Sequence, residues 1–241
     1  MLITKKYRFS NEKLLPNSVR IVFVSDLHVR KKQERSLIKV VEAINSQNPD
    51  IVVLGGDFVK GDFPQESMEP EKIAAMLGKI QAKYGAYAVL GNHDRWYDST
   101  RVAAALKEQG IILLENDNKK IDICGKSLYI AGVEDIMTGK PDYARAFLNT
   151  SSPVILVSHS PDIFPEVAQS PFLILCGHLH GGQVRLPFIG SLVVPSKYGN
   201  RYSLGLFEEK GKKMIVSKGV GTSLLNLRFN CLPEIVLIEI N

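Results

Sequence analysis

Residues 172–183 read Phe172-Leu173-Ile174-Leu175-Cys176-Gly177-His178-Leu179-His180-Gly181-Gly182-Gln183, an apolar run followed by a glycine, two imidazoles one residue apart, and paired glycines. Consecutive apolar side chains without alternation have the length and composition of a strand buried on both faces. Gly177 ends that run and lets the backbone turn sharply. In an extended segment, side chains two positions apart point the same way, so His178 and His180 are expected to face one cavity.

The same construction recurs four times upstream. Arg20-Ile21-Val22-Phe23-Val24 runs into Ser25-Asp26-Leu27-His28, and Ile51-Val52-Val53-Leu54 into Gly55-Gly56-Asp57. Ala86-Tyr87-Ala88-Val89-Leu90 leads to Gly91-Asn92-His93-Asp94, and Val154-Ile155-Leu156-Val157 to Ser158-His159. Helical patterns separate these runs. Leu37, Val40, Val41 and Ile44 fall at helical spacing before Asn48-Pro49, a second helix is expected over 71–83, a third from an N-cap at Ser99 to Gly110, and a fourth over 143–148. Alternating strands and helices predict mostly parallel strands, and ligands of such sheets bind beyond the carboxyl ends. Leu2 to Phe9 reads as an edge strand turned by Asn11 to Pro16, and residues 111–114, 119–123 and 128–132 look antiparallel. Past Gln183, residues 203–207, 214–217 and 234–240 read as a second, more antiparallel sheet. The expected fold is α/β, two mixed sheets packed face to face and flanked by helices, in one domain over 1–241.

Composition bounds the function. The 241 residues are 45% hydrophobic, enough for a large core. The formal charge of +5 comes from 30 basic against 25 acidic residues in short clusters, with no basic stripe interleaved with aromatics. Nucleic acid is therefore not expected as a partner, whereas an anionic, phosphorylated ligand is. Three widely spaced cysteines, Cys124, Cys176 and Cys231, read as reduced core residues of a cytoplasmic protein. No apolar run approaches the roughly 20 residues that span a bilayer, which leaves peripheral membrane contact open.

All five histidines, His28, His93, His159, His178 and His180, fall at these strand ends, beside Asp26, Asp57 and Asn92. Each alone has a ready explanation as a core or capping histidine; together they form a ligand set suited to Zn, Mn or Fe. Eight groups exceed the needs of one ion. Two divalent ions sharing a carboxylate use them economically, and paired metals commonly split phosphate esters.

Asp26-x-His28, Gly56-Asp57, Gly91-Asn92-His93-Asp94, His159 and Gly177-His178-x-His180 resemble, in order, the five motif blocks of the calcineurin-like metallophosphoesterase superfamily. The stretch 181–187, Arg228-Phe229-Asn230 and Pro233-Glu234-Ile235 are similar to its bacterial YkuE/YaeI-type branch. The resemblance implies a four-layer α-β-β-α sandwich. It further implies one ion held by Asp26, His28, Asp57 and His180, and a second by Asp57, Asn92, His159 and His178, with Asp57 as the bridge. His93 is similar to the histidine that touches the scissile phosphate. Asp94 is expected either to orient His93 or to make a plain structural hydrogen bond.

The activity so implied is hydrolysis of a phosphodiester or pyrophosphate in a small-molecule or lipid substrate. UDP-2,3-diacylglucosamine is the specific candidate that relatives suggest. Leu186 to Pro195 form a proline-bounded apolar loop after the histidines, read as core packing of a hairpin or as a hydrophobic wall that Leu224, Leu225, Leu227 and Phe229 extend. Arg228 is the expected phosphate contact. The alternatives are a phosphomonoesterase and a non-catalytic scaffold. Oligomeric state is not legible.

Overall fold

Each apolar run becomes a strand in the computed structural model, which describes residues 1–10, 18–187, 190–191 and 193–241. The turn expected over 11–16 and residues 188, 189 and 192 of the apolar loop lie outside the described residues. In chain order the elements are β1 (Ile3–Phe9), β2 (Val19–Val24), α1 (Glu34–Asn45), β3 (Ile51–Leu54), α2 (Pro70–Leu77), β4 (Ala86–Ala88) and α3 (Asn92–Glu108). They continue as β5 (Ile112–Leu113), β6 (Asp117–Ile123), β7 (Lys126–Gly132), α4 (Tyr143–Ala146), β8 (Val154–Val157) and β9 (Leu173–Cys176). Last come β10 (Arg185–Leu186), β11 (Gly190–Ser191), β12 (Gly205–Glu209), β13 (Lys212–Val216) and β14 (Glu234–Ile240).

One sheet has the order β1-β14-β2-β3-β4-β5, with β2 to β5 parallel and β14 antiparallel to β2. The other has the order β12-β13-β9-β8-β7-β6, parallel from β13 through β7 with an antiparallel strand at either edge. The division differs from the one expected. β14 does not join β12 and β13 but inserts between β1 and β2, and β8 and β9 leave the first three parallel strands for the second sheet. Both faces of β14 are buried, so its residues carry no alternation that would distinguish a central strand of one sheet from that of the other.

Alternate side chains sort into layers. Ile21, Phe23, Ile51 and Val53 face Ile155, Val157, Leu173 and Leu175 between the sheets. Val22, Val24, Val52 and Leu54 pack instead under Leu37, Val40, Ile73 and Leu106 of the helices. The outer face of the second sheet meets Ala146, Ile163, Phe164 and Tyr202, so its cover is the short α4 and 3-10 turns. Ile21, Val22 and Phe23 are fully buried, and each contributes about 1.5–3 kcal/mol of desolvation. That anchorage holds the polar loop after β2 against the strain described below.

Three helices differ in extent from expectation; α4, expected over 143–148, runs only Tyr143–Ala146. α2 stops at Leu77, with Gly78 as its C-cap. α3 begins at Asn92 and breaks at Asp98, whose φ of -178° and ψ of 92° are extended. Asp98 Oδ1 accepts from the Arg101 N–H at 3.0 Å, so Asp98, not Ser99, caps the second segment. Cys176 and Cys231 are buried, while Cys124 is exposed and not a core residue. Among the described residues no helix is long and apolar enough to cross a membrane.

Candidate metal centre

The carboxyl ends of β2, β3 and β4 in one sheet and of β8 and β9 in the other meet along one edge. Hydrogen bonds tie the sheets together there: His159 Nδ1 donates to Gly55 O at 2.8 Å, and the His178 N–H donates to Asp26 Oδ1 at 2.9 Å. Gly177 is required by close approach: a Cβ would lie 2.5 Å from Asp26 Oδ2 and from Ser25 Oγ. Asp26, His28, Asp57, His178 and His180 have φ of 56°, 42°, 56°, 70° and 51°, in the left-handed region that costs a non-glycine residue about 1 kcal/mol or more. Such strain persists at functional sites, where surrounding structure imposes it. It also overturns the extended geometry expected for 178–180. His178 and His180 join different clusters, yet both face one cavity as expected.

Asp57, His159 and His178 form one cluster, and Asp26, His28 and His180 another, each with donor atoms within 4.8 Å of one another. A third set, His28, Asp57 and His93, links them. Around His159 Nε2, Asp57 Oδ2, Asn92 Oδ1 and His178 Nδ1 all stand at 3.1 Å. His28 Nε2 lies 3.1 Å from His180 Nε2 and 3.4 Å from Asp57 Oδ2, and His180 Nε2 lies 3.6 Å from Asp26 Oδ1. Asp57 Oδ2 thus faces both clusters, while its Oδ1 accepts from the His93 N–H at 2.8 Å.

This donor set fits divalent ions. The Gly55 carbonyl can only accept, so in a neutral ring the proton of His159 sits on Nδ1 and Nε2 presents a lone pair. That lone pair meets the Asp57 and Asn92 oxygens, both acceptors, an arrangement that is repulsive until a proton or a cation sits among them; burial lowers the proton affinity of His159, but Asp57 outweighs it and raises the ring well above the ordinary histidine value. Burial pushes His28 well below the ordinary histidine value against the pull of Asp57, and pushes His180 down to about 4 against Asp26. Burial lowers His178 as well. These rings are neutral at pH 7, the form that ligates metal. Burial alone would raise the Asp57 carboxyl, but His159 and then His28 outweigh it and hold it well below the carboxylate range.

His93 stands edge-on to His28, with ring centroids 4.5 Å apart. Its Nδ1 lies 3.3 Å from the Asp62 N–H and 3.4 Å from Asp62 Oδ1. Asp62 is fixed in turn by Lys60, whose Nζ reaches both carboxylate oxygens at 3.1 Å and is 1% exposed. Gly61 lets this loop cross His93, since a Cβ would lie 2.1 Å from the His93 carbonyl oxygen. Sequence reasoning missed Lys60 and Asp62. Their only signal was a Lys-Gly-Asp step soon after Asp57, and the burial of a lysine is not legible.

Of the two roles expected for Asp94, the structural one matches its contacts. Its carboxylate accepts from the N–H groups of Asp57, Phe58 and Gly91 at 2.8, 2.8 and 2.9 Å, and the carboxylate beside the His93 ring is Asp62. Arg228 is a correction. Its guanidinium donates to the carbonyls of Gly221 at 2.9 Å, Lys218 at 2.8 Å and Cys231 at 3.3 Å, and lies 3.4 Å behind His180 Nδ1. An irregular buried loop needs donors for its carbonyls, and Arg228 supplies them, which leaves it unavailable to a substrate phosphate.

Above the clusters opens a cavity of about 550 Å³, with Asp57, Asn92, His93, His178 and His180 in its lining. Its other lining includes Trp96, Met137, Val193, Leu224, Leu225 and Leu227. Val193 of the apolar loop and Leu224 are 72% and 71% exposed and stand in a wall, while Ser191 of the same loop is buried.

Residues 19–182 match the model of the calcineurin-like phosphoesterase family; the chain belongs to that family, whose members are metal-dependent hydrolases with a dinuclear divalent metal site. It is 32% identical over 227 residues to the uncharacterized metallophosphoesterase YkuE of Bacillus subtilis, covering 92% of this chain and 78% of that one. To the phosphodiesterase YaeI of Escherichia coli it is 31% identical over 246 residues, covering 99% and 87%. Its fold resembles NAD nucleotidase NadN of Haemophilus influenzae, with a TM-score of 0.54 at 16% identity; the match covers 83% of this chain and 44% of that one.

Proposed function

We propose that the chain hydrolyses phosphodiester or pyrophosphate bonds in amphiphilic substrates, with the phosphate over the two clusters and an apolar arm on the exposed wall. Asp26, His28, Asp57 and His180 would hold one ion and Asp57, Asn92, His159 and His178 the other, with Mn, Zn or Fe favoured by the imidazole-rich donors. Such a pair supplies charge neutralisation at the phosphate and activation of water near neutral pH.

The residues of the chain do the rest. Asp94 ties the N–H groups of Asp57 and Phe58 to that of Gly91, so the bridging carboxylate and the turn carrying Asn92 are held as one piece. Asp62 fixes the His93 ring through Nδ1, which leaves Nε2 to meet the substrate. There it stabilises or protonates the departing alcohol or phosphate oxygen. Trp96 packs on His93 with centroids 4.8 Å apart and lines the same cavity.

The observation that carries this reading is the continuity of the donor cluster with the apolar wall in one cavity. A polar metabolite gains nothing from exposed leucines, whereas an acyl chain removes them from water at about 25 cal/mol per Å². UDP-2,3-diacylglucosamine carries both a pyrophosphate and acyl chains, and peripheral contact with a lipid surface follows from the same wall. The test is turnover by the Mn-loaded protein on bis-para-nitrophenyl phosphate, para-nitrophenyl phosphate, and nucleotide-linked sugars with and without acyl chains. The reading expects the diester over the monoester and the acylated sugar over the bare one. Preference for the monoester would make the chain a phosphomonoesterase, and silence on all four with no bound metal would make it a scaffold.

A further inference from the structure

Asp135 has no part in the site described so far, yet its carboxylate is fully buried and its Oδ1 lacks a hydrogen-bond partner among the described residues. Its Oδ2 is fully used, accepting from Thr138 Oγ1 at 2.8 Å and from the N–H groups of Thr138 and Met137 at 3.1 and 3.2 Å. A lone carboxylate oxygen left bare in the interior costs far more than a turn cap gains. A second buried orphan stands at the same edge. His178 turns Nδ1 towards His159 Nε2, and its own Nε2 has no partner among the described residues.

Topology brings both to the end of β8, which lies between them. β7, β8 and β9 are adjacent and parallel, and their ends lead to Asp135, His159 and His178 in turn. The Val133 N–H bonds Val157 O at 3.1 Å, which holds the chain entering Asp135 against the end of β8. On the other side of β8 the His178 ring packs on His159 with centroids 4.9 Å apart, so both orphans border the same strand end.

We propose that Asp135 is the positioning residue for His178: through one buried water its Oδ1 accepts the proton on Nε2, which keeps Nδ1 bare for a metal ion. The chemistry requires some such partner. A neutral imidazole has one ring proton, and the nitrogen that ligates must be the one without it. A carboxylate cannot donate, so a water donating to Oδ1 turns its own lone pair to Nε2–H and selects that tautomer. Thr138 and the two N–H groups of the turn hold the other oxygen, which fixes the direction of the first.

The proposal rests on His178 being a ligand, and the experiment separates the two claims. Asp135→Asn keeps an oxygen for the turn and puts an amide where the free oxygen was; the water then accepts from the amide and donates to Nε2, favouring the tautomer that cannot ligate. Metal content at graded free Mn should show one of the two ions bound about 10- to 100-fold more weakly, with the other unchanged. His178→Ala should lose that same ion. If His178→Ala keeps both ions, the ligand assignment falls; if it loses one while folded Asp135→Asn binds both as the parent does, the role of Asp135 alone falls. The unaltered, Zn-loaded protein gives a readout that needs no variant: the ¹⁵N spectrum should show His178 protonated at Nε2 with slow exchange. A proton at Nδ1, or rapid exchange at Nε2, overturns the proposal.

Discussion

Replacing Asp94 by alanine tests whether this carboxylate is a structural tie or a partner of His93. It is fully buried and receives three short hydrogen bonds from Asp57, Phe58 and Gly91, with the Val59 N–H at 3.3 Å. Alanine leaves those donors buried and unpaired, next to a backbone held at a φ of 56° at Asp57. Burial and then Asp57 raise the Asp94 carboxyl to about 7, so above pH ~8 it is ionised, and three bonds to a charged acceptor at roughly 1.5 kcal/mol each give a loss of about 4–5 kcal/mol, a large part of the 5–15 kcal/mol typical of a whole protein. With a urea slope of roughly 3 kcal/mol per M, the unfolding midpoint should fall by about 1.5 M. Equilibrium unfolding followed by circular dichroism in the ion-free protein measures this without recourse to activity. A midpoint within about 0.3 M of the parent, accompanied by slow turnover, would refute the tie and restore Asp94 as the partner of His93.

Other outcomes follow from the same geometry. His93→Ala should retain two ions per chain by elemental analysis while turnover drops by about two to four powers of ten; undiminished turnover would remove His93 from the chemistry. His180 is held at about 4 when folded, against about 6.5 when unfolded, so the unfolded chain takes up the proton first. Its contribution to stability is full above pH ~6.5 and is lost as pH falls towards 4, about 3 kcal/mol in the ion-free protein. Urea midpoints that stay level over that range would contradict the burial of this ring. Leu224→Asp with Leu225→Asp should raise KM for an acylated diester severalfold and leave that for bis-para-nitrophenyl phosphate unchanged, by initial rates; equal effects on both would remove the wall from recognition.

The strands and the residues gathered at their ends were legible because buried parallel strands write themselves as unbroken apolar runs, and a polar residue directly after such a run has only the sheet edge to occupy. All eight of the histidine, aspartate and asparagine groups picked out there lie together. The allocation of strands to sheets was not legible. Glu234 to Ile240 is buried on both faces, and only its register with Phe23 through Val19 shows where it belongs. Arg228 misled because a cation near a phosphate site suggests a ligand contact, while the carbonyls of 218–221 that claim it have no sequence signal. Lys60 and Asp62 escaped for the converse reason: charged residues in a loop normally face water, and here tertiary contacts with His93 decide.

Anomalous scattering from crystals of the Mn-loaded protein measures the central claim directly. The account predicts two peaks roughly 3.5–4 Å apart, one among Asp26, His28 and His180, the other among Asn92, His159 and His178, with Asp57 touching both. A single peak, or two that do not share Asp57, would contradict it.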